Sequence, residues 1–165
     1  MTTFVTDDSF MSMLYSGVYN RAPDQMGMVF WSGVLSQAKT TVERDSIVDQ
    51  FIYPQTGIVM QPGQDSEQSN ADIDFVQGLY AAFHLSAGDQ AGTDFWVQVL
   101  NSGVSRASVL ANFLEATVNY DGSDAQALDR QNTLLNRAEV ARLYVKQMGV
   151  LSNFPESSVG ASFED

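Results

Sequence analysis

The chain contains no cysteine, which excludes disulfides, thiolate metal sites such as zinc fingers, and thiol nucleophiles. It is poor in positive charge: eight Lys and Arg stand against twenty Asp and Glu, for a formal charge of −12, and the basic residues are scattered. That balance disfavours nucleic acid as a partner and repels anionic lipid headgroups. There is one histidine, His84, so any histidine-dependent triad or multi-histidine metal site has to be built around it. A run of about 18 apolar residues is missing, so no membrane insertion is expected. Met1 to Phe10 lacks the basic-then-apolar order of a cleaved secretion signal.

What is present is enough for a core. With 165 residues, 44% hydrophobic and 11% aromatic, the chain suits one compact domain rather than two, and disorder throughout is excluded.

Residues 10–35 match residues 75–100 without a gap, and a repeat of this kind is the strongest organising signal in a sequence. Phe10, Leu14, Tyr15, Ala22, Asp24, Gln25, Gly27, Phe30, Trp31, Val34 and Leu35 recur as Phe75, Leu79, Tyr80, Ala87, Asp89, Gln90, Gly92, Phe95, Trp96, Val99 and Leu100. The register then slips by three residues, since Val42, Ser46 and Phe51 recur as Val104, Ser108 and Phe113. The apolar pattern continues, with Ile47, Val48 and Ile52 opposite Val109, Leu110 and Leu114.

Each unit reads as three helices, because its apolar residues fall at spacings of three and four. The units are placed at 8–52 and 72–117, joined by a Pro- and Gly-containing linker, 53–70. A seventh helix, 129–148, and a loose tail, 152–165, follow the break Asp121-Gly122-Ser123-Asp124. The fold class is therefore all-α: a compact domain of about seven helices built from two three-helix repeats. Asp24 and Asp89 stand where the second helix of each unit begins and are read as caps. Ser105 and the capping-box pair Thr40 and Glu43 precede the third helices. Gly27 and Gly92 lie in a first helical turn, where glycine costs about 1 kcal/mol relative to alanine, so a close approach of another backbone is expected there.

The run Phe75-x-x-x-Leu79-Tyr80, then Gly88-Asp89-x-x-Gly92-x-x-Phe95-Trp96-x-x-x-Leu100-Asn101-Ser102-Gly103-x-Ser105-Arg106-x-x-Val109 and Phe113-Leu114, resembles the family known as domain of unknown function 4214. Tyr19-Asn20-Arg21-Ala22-Pro23-Asp24 carries the same likeness in the first unit, and Asn136-Arg137-Ala138-Glu139-Val140 with Leu143-Tyr144 looks like the helix that trails such domains. The resemblance covers roughly residues 8 to 148. It implies a helical module of large secreted or surface bacterial proteins, exported without a cleaved signal, and says little of activity.

Single residues favour structure over chemistry. His84 stands opposite Tyr19, and a position that takes either ring is most simply an aromatic filler at a helix end; the competing reading is a hydrolase pairing His84 with a carboxylate. Trp31 and Trp96 could stack on sugar rings, but both recur within an apolar stripe and read as core. Arg21 faces Ser86 in the repeat and so has no counterpart; a buried carboxylate or helix carbonyls would hold it. Asp121, Ser123 and Asp124, and separately Asp65, Glu67, Asp72 and Asp74, could offer oxygens to calcium but lack the spacing of a calcium loop. No catalytic, cofactor-binding or metal-ligating residue is assigned, and no cofactor is expected beyond that calcium option.

The function expected is that of a noncatalytic structural or recognition module of an extracellular or surface assembly, not of an enzyme. It would act through contact with a protein, including a homo-oligomer, or with a glycan. The alternative is a phage head or tail subunit located in the virion.

Overall fold

A computed structural model describes residues 7–52 and 68–147. Among them are seven α-helices and no strand. The first unit holds α1 (Asp7–Val18), α2 (Gln25–Leu35) and α3 (Thr41–Ile52). The second holds α4 (Gln68–Leu79), which runs on into a π turn over Tyr80–His84, then α5 (Gln90–Asn101) and α6 (Arg106–Val118). Helix α7 (Ala125–Gln147) closes the chain of elements. The tail 152–165 and most of the linker lie outside the described residues, but residues 68–70, expected in the linker, open α4.

The caps explain the boundaries. Asp24 and Asp89 each accept the backbone N–H three residues on, from Gly27 and Gly92, both at 2.8 Å. Ser105 accepts from Ser108 N–H at 3.1 Å. Thr40 and Glu43 exchange bonds as a capping box, at 3.2 and 3.1 Å. Helix α7 starts four residues before the expected 129 because Asp124 accepts from Ala127 N–H at 2.8 Å. Each such cap is worth about 1 kcal/mol.

The core is made by the duplicated apolar set. Phe10, Met11, Leu14, Val48, Phe51 and Ile52 are buried together with Phe75, Val76, Leu79, Leu110, Phe113 and Leu114. At roughly 1.5–3 kcal/mol per fully buried large apolar side chain, these residues dominate stability. Phe30 and Phe95 depart from expectation. They share a stripe with the tryptophans in sequence, yet they are 59% and 55% exposed and lie edge-on to Trp31 and Trp96.

Equivalent helices of the two units meet each other. Asp45 of α3 accepts from the hydroxyl of Ser108 in α6, and Ser46, beside Asp45, is the counterpart of Ser108. Gly17 of α1 lies against the ring of Phe83, whose counterpart is Val18. Each of these residues touches the neighbour of its own counterpart, so the two units meet through equivalent parts of their first and third helices. Arg44 strengthens the same seam by pairing with Glu115 and Asp45. Helix α7 lies along α1, with Arg137 bonded to the Ser16 carbonyl near the end of α1 and Arg142 within the field of Asp8 near its start, so the two run antiparallel.

Candidate functional site

Each unit builds the same aromatic and charged cluster. In the first, Tyr15 packs edge-on to Phe51 at 4.9 Å, and Trp31 does so at 5.4 Å. In the second, Tyr80 packs on Phe113 at 5.0 Å and Trp96 at 5.8 Å. A methyl group at Gly27 or Gly92 would overlap the hydroxyl of Tyr15 or Tyr80. The close approach expected at these glycines is therefore made by a tyrosine side chain, not by another backbone. Burial, aided by the charge of Asp24, pushes the Tyr15 phenol up to about 12, so it stays protonated.

Arg21 lies 5.6 Å from the Tyr15 ring centroid and pairs with Asp24 at 3.4 Å. That carboxylate is more than half exposed, so the expected buried partner is not found. The second unit reproduces the arrangement with a residue from elsewhere. Arg130 of α7 lies 4.9 Å over Tyr80, pairs with Asp89 at 2.7 Å and donates to the Ala87 carbonyl at 3.0 Å. It also reaches the hydroxyl of Ser86, the residue that stands where Arg21 should recur, at 3.4 Å. The counterpart of Arg21 thus exists in space, supplied by another helix. The Arg130 bond and the Gly92 N–H hold the Asp89 carboxyl below its usual range.

His84 is 6% exposed and stacked on Phe113 at 4.7 Å. Thr117 gives its one hydroxyl proton to the Phe113 carbonyl at 2.9 Å. The contact from His84 Nε2 to Thr117 Oγ1, at 3.0 Å, is therefore donated by the imidazole, which assigns the Nε2–H tautomer. Nδ1 is left as a buried lone pair with no partner among the described residues. Burial, with a smaller push from Arg130, brings the imidazole pKa down to about 4. In the first unit Tyr19 donates directly to the matching carbonyl, that of Phe51, at 3.1 Å. The His84 ring thus fills an aromatic place, and among the described residues no carboxylate orients it as a triad would require.

Of the remaining candidates, Asp24, Asp89, Asp124 and Asp72 serve the fold, while Asp74, Asp121 and Ser123 are exposed. Asp24 and Asp89 cap separate helices, and no hydrogen bond or ion pair among the described residues joins them. Asp124 caps α7, and Asp72 is buried in an ion pair with Arg106 at 2.7 Å. Asp65 and Glu67 lie outside the described residues. Among those described, no three His, Asp or Glu side chains gather as a metal site would, and no helix is long and apolar enough to cross a membrane.

Two surfaces stand apart from this pattern. An open groove of about 400 Å³ runs between the end of α1 and the last turns of α7. Asn20, Arg21 and Ala22 wall one side, with Asn136, Val140 and Tyr144 on the other. Arg137 lies at its edge and bonds the carbonyls of Ser16, Ala82 and Phe83, the C-terminal ends of α1 and of the π turn. Next to it, α7 turns Val140, Leu143 and Tyr144 outward. The second surface is the outer face of α2, where Met26 is 81% exposed beside Val29 and Phe30. Periodicity in the sequence marks these residues as apolar without showing which side of the helix meets the core.

Neither a curated protein nor a solved structure matches the chain. A family model does, described as "Domain of unknown function (DUF4214)", over residues 2–53 and again over 63–121. The two matches fall on the two units, each with its capped second helix and its tyrosine seated against a glycine. Together they cover well over half of the sequence, and the chain therefore belongs to the family of that domain, in two copies.

Proposed function

We propose that this protein is a noncatalytic contact module, a piece of a larger extracellular or surface assembly that works by binding protein. The observation that carries the reading is the outer face of α2, where Met26 and Phe30 are 81% and 59% exposed on a helix without one charged residue. Exposed apolar residues grouped on one face mark an interaction surface, whereas singly scattered ones do not. The groups able to do chemistry support the same view. His84 is stacked in the core, Tyr15 is held protonated, and Asp24 and Asp89 are caps. The extracellular setting rests on the family likeness and on the acidic surface, which keeps such a module soluble.

The test is a panel of ester, glycoside, phosphoester and peptide substrates given to the native chain and to His84→Tyr. No turnover is expected from either protein. Turnover that co-purifies with the native chain and disappears in the variant would replace this reading with a hydrolase.

A further inference from the structure

A cavity of about 150 Å³ lies between the second unit and α7. Tyr80, Trp96, Phe113 and Tyr120 give it aromatic walls, and Ala127 and Arg130 of α7, which lies outside the repeat, complete it. A cavity of roughly 150 Å³ holds one benzene-sized ring, so this space suits a single ring.

His84 and Thr117 also line it. The Thr117 hydroxyl is already used, since its proton goes to the Phe113 carbonyl and its oxygen receives the imidazole Nε2–H. The imidazole, 6% exposed, keeps the Nδ1 lone pair without a partner among the described residues. Burial brings its pKa down to about 4, so near neutral pH that nitrogen is an acceptor. Buried acceptors are as a rule hydrogen-bonded, and a group that satisfies this one must carry an N–H or O–H.

Charge narrows the choice. The Arg130 guanidinium in the wall opposes a cation. Its nitrogens already donate to Ser86, Asp89 and Ala87, so an anion would compete with the Asp89 carboxylate for them. A neutral molecule is left, and the repeat shows of what kind. In the first unit Tyr19 packs edge-on to Phe51 at 5.1 Å and donates its phenol O–H to the Phe51 carbonyl. In the second, the smaller imidazole reaches the matching carbonyl only through Thr117. The first unit thus carries a phenol at the place where the second has a smaller ring beside a cavity.

We infer that this cavity binds a neutral single-ring aromatic molecule bearing an O–H, of which phenol is the simplest, with its ring among Tyr80, Trp96 and Tyr120 and its hydroxyl donated to His84 Nδ1. The site is separate from the outer face of α2 and does not depend on what that face binds.

The two tryptophans supply an internal control, because Trp96 lines the cavity and Trp31 belongs to the other unit. In the full native chain at pH 7, phenol should shift the Trp96 indole N–H resonance saturably, with a dissociation constant of about 1 mM or tighter, and leave that of Trp31 in place; Trp31→Phe assigns the two signals. Toluene has the same ring without the donor and should bind about fivefold more weakly, the difference one hydrogen bond makes. Ala127→Leu fills the cavity from α7 without altering His84. It should abolish the Trp96 shift, with the Trp31 resonance at its native position as the sign of an intact fold. No saturable Trp96 shift up to about 10 mM phenol overturns the inference, as does an equal shift of both indoles or a shift that survives Ala127→Leu. Toluene bound as tightly as phenol overturns the part given to His84 Nδ1, and with it the class of ligand.

Discussion

Leu85 and Asn20 occupy equivalent positions, each just past a helix end, and both take a left-handed backbone, with φ of 53° and 48°. Asparagine tolerates that conformation, while leucine, 65% exposed here, has no packing to compensate for it. Leu85→Asn should stabilise the protein by about 1 kcal/mol, read as a higher denaturant midpoint at unchanged slope; a loss of stability would mean that the leucine side chain is held by a contact. His84 gives a second residue-scale prediction, through pH. Its folded pKa lies near 4, against 6.5 for a free imidazole. Between those values the unfolded chain takes up a proton that the folded one refuses, so stability falls as pH drops from 6.5 to 4, by about 2–3 kcal/mol. Asp24 and Asp89, held below 3.8, lose their contribution only at lower pH. His84→Tyr, which copies Tyr19, should flatten the pH 4 to 6.5 segment of the melting curve, and an unchanged slope would refute the assignment.

At the scale of elements, the sequence made most of the helices legible, because each was written twice and bounded by side-chain caps. Asp24 and Asp89, Ser105, and Thr40 with Glu43 act within three residues of the backbone they bond, so their role is local and readable. Arg130 was not readable, since it replaces Arg21 from 44 residues beyond Ser86, on a different helix, and only the fold brings it there. Phe30 and Trp31 are adjacent on one helix, and spacing alone does not say which of two neighbours turns inward. The seat of tyrosine on glycine is the element-level contact most open to a test. Gly92→Ala gains about 1 kcal/mol of helix propensity, but its methyl group collides with the Tyr80 hydroxyl, so a net loss of about 1–2 kcal/mol is expected. In the Tyr80→Phe background the nearest ring atom, Cζ, lies 3.3 Å from that methyl group, so Gly92→Ala should cost less there. A double-mutant cycle on chemical denaturation should give a coupling of about 1 kcal/mol; strict additivity would mean that glycine is kept for another reason.

At the scale of the whole molecule, Arg137 joins what the repeat alone leaves separate. Its guanidinium takes the Ser16 carbonyl from one unit and the Ala82 and Phe83 carbonyls from the other. Two helical segments end at that point, and each presents roughly half a negative charge, so the guanidinium balances the field while its forked donors satisfy oxygens from both units. The π turn at Tyr80–His84 supplies two of the three carbonyls, and no such turn occurs at the end of α1. Arg137→Met keeps much of the side-chain volume and removes both charge and donors, so it should cost about 3 kcal/mol. Arg137→Lys, which keeps the charge without the fork, should lose about half as much. Arg142→Met provides the control. It breaks an ion pair with Glu139 on the same helix, exposed on the carboxylate side, and should change stability by less than 1 kcal/mol. Urea unfolding followed by tryptophan fluorescence reports both units, since Trp31 lies in the first and Trp96 in the second. If Arg137→Met unfolds at the native midpoint, the seam between α3 and α6 is enough to hold the units together, and α7 is an appendage rather than a clamp.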